Sequence, residues 1–220
     1  MKEALILDEE KIKNRLYNFE DSKRPCFDDA RFIKSAVIIP VISYPDKPFE
    51  ILFIKRTIHK EDKHSGEMAF PGGKYDPQVD KNLKETALRE TEEEIGIFES
   101  NISVLGCLKD QITPKKFIIT PFIAIIENNV QFLSDNAEVA EIIKIPINYF
   151  LNGKNYLERT YTLKNTLIAV GKYKYWHTNG KKYVIFGASC HILVDFIETI
   201  YQINLMNKKA RRLQCADFSK

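Results

Sequence analysis

The chain has 220 residues, with 33 Lys and Arg against 30 Asp and Glu, a net charge of +3. That balance offers no global field for holding nucleic acid or an acidic membrane. A content of 44% hydrophobic and 29% charged residues describes a globular chain long enough to bury a core. The longest near-continuous apolar run, Phe117 to Ile126, is interrupted by Pro121 and is about half of the ~20 residues that a membrane-spanning helix needs. Neither a nucleic acid nor a membrane partner is therefore expected. The N-terminal MKEALILDEEKIK turns acidic too early for a secretory signal. Cys26, Cys107, Cys190 and Cys215 are scattered without a CxxC pair. Reduced thiols in a cytoplasmic protein are expected.

In chain order, Ile12, Leu16 and Phe19 follow Asp8 at helical spacing, which predicts a helix over 8–19 with Asp8 as N-cap. The β-branched, nearly all-apolar segment 35–44 predicts a buried strand. The Pro45-Asp46-Lys47-Pro48 turn leads to a second strand pattern at 51–54, so the two are expected to form a hairpin in a mixed sheet. Residues 57–82 carry no clear periodicity and contain Pro71-Gly72-Gly73. A loop of that length inside a domain is often functional. A helix is predicted over 83–96, ending at Gly96, with strands at 102–109 and 117–126. A short helix near 146–151 precedes an Asn179-Gly180 hairpin signal, flanked by Tyr175-Trp176-His177 and by Tyr183 to Phe186. Trp176, Tyr173, Tyr175 and Tyr183 are assigned to core and hairpin pairing. The last helix is expected over 187–207, with Ile192, Phe196, Ile200 and Ile203 on one face. The basic residues 208–212 read as a solvated, frayed tail. The fold class is α+β: residues 1–34 as a helical extension packing on the domain, 35–207 as the domain and 208–220 as the basic tail.

Chemistry concentrates in residues 85–94, which hold five Glu and one Arg, a local charge of −4. At about 100° per residue, with Glu90 at 0°, Glu93 falls near 300° and Glu94 near 40°. Ala87, Leu88 and Ile95 form an adjacent apolar face, and Glu92 points elsewhere. Three carboxylates on one stripe repel each other, and a hard divalent cation relieves that repulsion. Oxygen ligands suit Mg²⁺ or Mn²⁺ better than Zn²⁺. An acidic, solvated helix face is the alternative that these residues alone leave open.

The run Arg89-Glu90-Thr91-x-Glu93-Glu94-x-Gly96-Ile97 resembles the second half of the Nudix box, G-x5-E-x7-R-E-U-x-E-E-x-G-U, with U a bulky apolar residue. Counted back from Arg89, the leading Gly of the box falls at Tyr75 and its first Glu at Lys81, so the first half is stretched. That stretching is similar to the coenzyme A pyrophosphatase branch. Gly66-Glu67-Met68-Ala69-Phe70-Pro71-Gly72-Gly73 resembles the G-x3-F-P-G-G ending of that branch's upstream signature, and Leu52 to Arg56 its L-L-T-x-R opening. The Arg expected between them falls near Glu61 or Asp62, with Lys60 and Lys63 beside it. Further likeness at Ala36–Pro40, Thr120-Pro121, Glu138 to Glu141 and Phe186 to Ala188 extends the resemblance over roughly 35–200.

The resemblance implies a Nudix-type α/β/α sandwich with a mixed β-sheet. It also implies metal-dependent hydrolysis of a pyrophosphate bond, in coenzyme A or a derivative, to 4′-phosphopantetheine and 3′,5′-ADP. Another nucleoside diphosphate derivative (ADP-ribose, an NDP-sugar or a dinucleoside polyphosphate) and a non-catalytic nucleotide-binding role are the alternatives. By the motif, Glu90, Glu93 and Glu94 are ligands for Mg²⁺ or Mn²⁺, with Glu138 or Glu141 as a completing carboxylate. Of that pair Glu138 is the choice. Arg89 is assigned to orienting a Glu. Gly72 and Gly73 allow close backbone approach. Lys55, Arg56, His59, Lys60, Lys63 and His64 put positive charge just before the Pro-Gly-Gly turn. Among them Arg56, Lys55 and Lys63, with Gly72 and Gly73, are the expected substrate contacts. Lys115-Lys116 is a further candidate for phosphate. The oligomeric state is left open, a homodimer included.

Overall fold

The computed structural model describes residues 7–58, 66–135, 137–207 and 209–218. Its centre is a parallel pair, β1 (Ile33–Ile42) and β7 (Phe117–Ile126), in register from Ile33 opposite Phe117 to Ile42 opposite Ile126. Both strands are apolar on both sides because both sheet faces are covered. Ala36, Ile38 and Ile42 join one buried cluster, and Ile39 and Val41 join another, which is the two-residue alternation of a strand.

The strand pair predicted as a hairpin is only partly one. β2 (Glu50–Arg56) pairs with β1 through Val41 opposite Ile51 and Ile42 opposite Glu50, and there the pairing stops. Beyond that point the two strands diverge, and the segment after residue 66 fills the gap. It supplies β3 (Met68–Ala69), bound to β2, and β4 (Gly72–Lys74), bound to Ser35–Val37 of β1. The aperiodic stretch therefore contains two strands, each too short to show a period in sequence. The far edge of β2 pairs along its length with β8 (Val139–Pro146). On the other side, β7 pairs with β5 (Ile102–Cys107), which matches the strand predicted at 102–109 to within two residues, and with the short β6 (Gln111–Ile112) beyond it.

Two helices cover the sheet. Helix α2 (Leu83–Ile95) starts at Asn82, whose side chain accepts from the backbone N–H groups of Lys84 and Glu85, and stops at left-handed Gly96. It buries Ala87, Leu88 and Ile95 against the cluster that holds Ile38, Leu52 and Phe122. Helix α4 (Gly187–Tyr201) packs on the opposite face with Leu193, Phe196, Ile197 and Ile200. At about 1.5–3 kcal/mol per large buried side chain, α4 is held mainly by apolar burial. Helix α2, with two such residues, leans more on polar contacts. Helix α4 ends six residues before the predicted 207, at left-handed Gln202, because the Glu198 carboxylate accepts from the N–H groups of Leu205 and Met206 and turns the chain. Mixed sheet and flanking helices match the expected α/β/α sandwich.

The predicted hairpin belongs to a second sheet, in which β10 (Thr166–Trp176) lies between β11 (Lys182–Phe186) and β9 (Tyr156–Leu163), a strand the sequence pattern does not announce. The Asn179-Gly180 turn does join β10 to β11, with Gly180 at φ +80°. Short helix α3 (Ile147–Leu151) leads into this sheet. Tyr173 and Tyr183 are buried, but Trp176 is 65% exposed over Lys182, so it belongs to the hairpin tip and not to the core. The C-terminal segment is docked, not frayed. Arg211 bridges to the β10 backbone, donating to the Leu167 carbonyl and accepting from Ala169, and its side chain pairs with Asp217. No helix among the described residues is long and apolar enough to cross a membrane.

The N-terminal helix α1 (Glu9–Lys13) has the predicted Asp8 cap but stops well short of 19. Tyr17 leaves the helix to exchange both backbone hydrogen bonds with Cys107, extending β5, and Phe19 packs on Phe122. The segment that follows is pinned by Asp110. Its buried carboxylate accepts from Arg24 at 2.6 Å, the Phe27 N–H at 2.9 Å and Thr120 Oγ1 at 2.7 Å. Asp110→Ala leaves Arg24 buried and unpaired, and a loss of about 3–5 kcal/mol is expected in urea unfolding.

Candidate active site

The divergence of β1 and β2 opens a cleft of about 720 Å³ under α2. Gly72 and Gly73 form its floor, Glu90 and Glu94 enter from α2, Glu138 from the turn before β8, and Arg56 from the end of β2. Lys115 closes one side. Cleft and helix are joined directly: the Gly72 N–H donates to Glu94 Oε2 at 2.9 Å.

Both glycines are required, for different reasons. Gly72 has φ +146°, and a Cβ there would stand 2.2 Å from the Ala36 carbonyl oxygen and 2.5 Å from Val37 Cα. Neither backbone atom can yield. At Gly73 the obstacle is the Glu90 carboxylate, 2.3 Å from the position of a Cβ. Gly73 therefore gives Glu90 room to lie against the main chain.

The three motif glutamates do not share one environment. Glu94 is buried, with Arg56 at 3.9 Å. Burial pushes its carboxyl up to about 8; the Gly72 N–H and Arg56 oppose this, and the negative charges of Glu90 and Glu138 reinforce it. Burial also raises Glu90, against the attraction of Arg89, with Glu93 and Glu138 adding to the rise. Glu93 is 59% exposed and lies outside the lining of the cleft, over a neighbouring groove beside Asp80. The predicted angles are right for Glu90 and Glu94, but the sheet covers one side of the stripe and leaves Glu93 on the other. Glu92 is exposed, as expected.

Arg89 joins these positions. It reaches Glu90 at 2.9 Å and Glu93 at 3.0 Å through one nitrogen. Its Nε and other terminal nitrogen hold the two oxygens of Asp80 at 2.9 and 3.1 Å. The motif spacing puts Lys81 at the box's first Glu and passes over Asp80. The structure puts the carboxylate one residue earlier. Asp80 is 4% exposed and also accepts from Thr86 Oγ1 and the Asp76 N–H. The bonds from Arg89 above all hold it down to about 2. An acidic residue within one position of the motif's slot was the available signal.

Other candidates divide clearly. Glu138 lines the cleft. Glu141 does not, because Lys55, Lys181 and Tyr183 all donate to it, and these bonds, Tyr183 first, hold it down to about 2. The same pairing turns Lys55 toward Glu141, at 3.0 Å, and Lys55 is not in the cleft lining. Lys63, with His59, Lys60 and His64, lies outside the described residues. Lys115 is in the lining and Lys116 is not. Among the described residues, no three His, Cys, Asp or Glu side chains are already grouped as a finished metal cage.

A mixed sheet with helices on both faces and a glutamate-lined cleft at the end of a divergent strand pair define an α+β sandwich with an acidic cleft. A NUDIX domain model matches residues 33–147, from β1 to the start of α3 and just over half of the chain. The chain belongs to the NUDIX domain family. It is 42% identical over 113 residues to NudL of Yersinia enterocolitica, described as an uncharacterized Nudix hydrolase, covering 51% of this chain and 56% of that one. A Yersinia pestis NudL is 38% identical over 123 residues, covering 56% and 60%. The match thus spans little more than half the length of these relatives. A MutT/nudix family protein from Enterococcus faecalis shares the fold with a TM-score of 0.51 and 15% identity, over 80% of this chain and 64% of that one.

The Arg89–Asp80 pair yields a stability prediction. The carboxyl of Asp80 is depressed on folding, so its contribution is complete above its unfolded value of 3.8 and is lost as pH falls toward 2. Asp80→Asn is expected to cost about 2–3 kcal/mol in urea unfolding at pH 7. The difference from wild type should close between pH 4 and 2.

Proposed function

We propose that this protein is a metal-dependent pyrophosphohydrolase whose substrate is coenzyme A or a derivative. The observation that carries the reading is the convergence of Glu90, Glu94 and Glu138 with Arg56 over the Gly72-Gly73 backbone. Membership of the NUDIX family supports the reaction class. The resemblance of Leu52–Arg56 and Gly66–Gly73 to the coenzyme A branch supports the substrate.

The donor chemistry fits a hard divalent cation. The cleft holds three carboxylates and no Cys or His, and burial makes its two inner carboxylates hard to ionise without added positive charge. Glu90, Glu94 and Glu138 would hold Mg²⁺ or Mn²⁺. When bound, such an ion lowers the pKa of water and neutralises pyrophosphate oxygens.

The chain's own residues have distinct tasks. Arg89 is a positioning residue: anchored on Asp80, it fixes Glu90 and Glu93 by charge-assisted hydrogen bonds. Gly72 fixes Glu94 by its N–H. Arg56 and Lys115, both in the cleft lining, supply positive charge for phosphate oxygens. A glutamate of the trio accepts the proton of the attacking water.

Purified protein with Mg²⁺ or Mn²⁺ is to be given coenzyme A, ADP-ribose and a dinucleoside polyphosphate separately, and the products weighed by mass spectrometry. The reading expects 4′-phosphopantetheine and 3′,5′-ADP from coenzyme A. Cleavage of another substrate with coenzyme A left intact would sink it. Glu90→Gln and Glu94→Gln should each lower kcat/KM at least about 100-fold. Gly73→Ala displaces only the end of a flexible side chain. It should lower activity at least about tenfold while the melting temperature stays within roughly 4 °C of wild type.

A further inference from the structure

We propose that the outer face of the second sheet docks on an anionic lipid bilayer, with Trp176 at the hairpin tip as its interfacial anchor. The inference does not depend on which substrate the cleft takes. The near-neutral net charge argues against such a partner, but the sum conceals where the charges stand. Between Glu158 and Asp195 the chain carries six Lys and Arg and no Asp or Glu.

Strand register divides these residues between two faces. Tyr156, Tyr173 and Ile185 stand in one row, and Tyr175 and Tyr183 in another. That face turns inward: Tyr173, Tyr183 and Ile185 join the buried cluster of Leu193 and Phe196 on α4. The alternate rows face out. They run Leu157–Lys172–Phe186, then Lys174–Val184, then Trp176–Lys182, with Arg159 opposite Val170 at the other end. The outer face of an antiparallel sheet is ordinarily polar. Here Leu157 is 41% exposed, Phe186 43% and Trp176 65%, with four cations among them. Tyr161, Val170 and Phe186 also wall an apolar pocket of about 470 Å³ that adjoins the carboxylate cleft. The face therefore runs from the hairpin tip to the edge of the cleft.

Charge and ring chemistry together select the occupant. Lys181 is paired with Glu141, but Arg159, Lys172, Lys174 and Lys182 have no ion pair among the described residues. A second copy docked by its own face would set lysine against lysine across a two-fold axis. Single-stranded nucleic acid stacks on successive rings, whereas the Lys174–Val184 row separates Trp176 from Phe186. Lys182 also stands over the Trp176 ring, 5.4 Å from its centre. An anionic bilayer meets both features at once. Lysine stems lie along apolar surface while their ammonium groups reach the headgroups, and Trp favours the headgroup level. Each cation held near such a surface is worth roughly fivefold in affinity.

Sedimentation at low salt with vesicles of about seven parts phosphatidylcholine to three of phosphatidylserine tests this. The protein should bind them, leave pure phosphatidylcholine vesicles alone and come off in about 0.5 M salt. Trp176 is the single Trp of the chain, so its fluorescence should shift to the blue on binding. No binding to the mixed vesicles, equal binding to both kinds, or binding with unchanged Trp176 emission overturns the inference. Lys172→Glu combined with Lys174→Glu should weaken binding at least about 25-fold, and Lys182→Glu, on the neighbouring strand, at least about fivefold. Melting temperatures confirm that each variant is folded. Either folded variant binding as tightly as wild type overturns the assignment of this face. Binding of a single-stranded oligonucleotide more tightly than of the mixed vesicles, lost in the same variants, also overturns it, by giving the face to nucleic acid.

Discussion

The site depends on the point where β1 and β2 stop pairing. Past Val41 and Ile51 the two strands separate, and each must find another backbone for its N–H and C=O groups. The Met68–Lys74 segment provides both, β3 to one strand and β4 to the other. The Pro71 carbonyl accepts from the Ile38 N–H at the centre of the insertion. A sheet that bonded β1 to β2 throughout would present a continuous surface to α2. The insertion places two glycines there, and glycine is the residue that lets a helix-borne carboxylate touch the main chain.

Charge in the region is arranged around that contact. Glu94 is buried and Glu90 half-buried at a cost, which raised carboxyl pKa values express. Each has an arginine near it, Arg56 for Glu94 and Arg89 for Glu90. Arg89 is itself held by Asp80, so its guanidinium cannot leave without exposing a second buried charge. Glu141 shows the opposite treatment. Three donors satisfy it, its pKa falls, and it becomes a strut between β2, β8 and the β10–β11 hairpin. Glu138 and Glu141, three residues apart, thus go to different places, one to the cleft and one to the strut, and partners, not spacing, decide which.

The sequence was legible where a period or a cap dictated the answer. Helix α2 was readable to within a residue, because Asn82 and Gly96 bound it and the angles of Glu90, Glu94 and Ala87 follow from the helix. β1 and β7 were readable from their apolar runs. Lost were features set by tertiary contacts. Tyr17 leaves helix α1 for Cys107, and Glu198 ends α4 through its side chain. β3 and β4 are too short for a pattern, and β9, mostly exposed, has no apolar face to announce it. In the site, motif counting found Glu90, Glu94, Gly72, Gly73 and Arg56. It missed Asp80, because a one-residue shift before the helix is invisible to a fixed spacing. It grouped Glu93 with the buried pair because a helical wheel does not know where the sheet ends.

The cleft and the apolar pocket beside it are built by different parts of the fold. All of the carboxylates of the cleft lie between residues 90 and 138, within the family-matched segment and on elements locked by the β1–β2 insertion. Ile168, Val170, Phe186 and Leu213 of the adjoining pocket come from a second sheet and a C-terminal segment held to it by Arg211, with one bridge to β10 and an ion pair to Asp217. The carboxylate end is over-determined: moving Glu90 or Glu94 disturbs a glycine contact, an arginine and a sheet insertion at once. The pocket end adjoins the cleft through Ala69, Phe117, Ile119 and Ala188, with Arg56 and Lys115 at the boundary, and its far wall is built from apolar side chains. Volume and shape there can change by single substitutions without touching the arginine–carboxylate network. The carboxylate cleft is therefore fixed by mutual constraint, and the apolar pocket beside it is left free to vary.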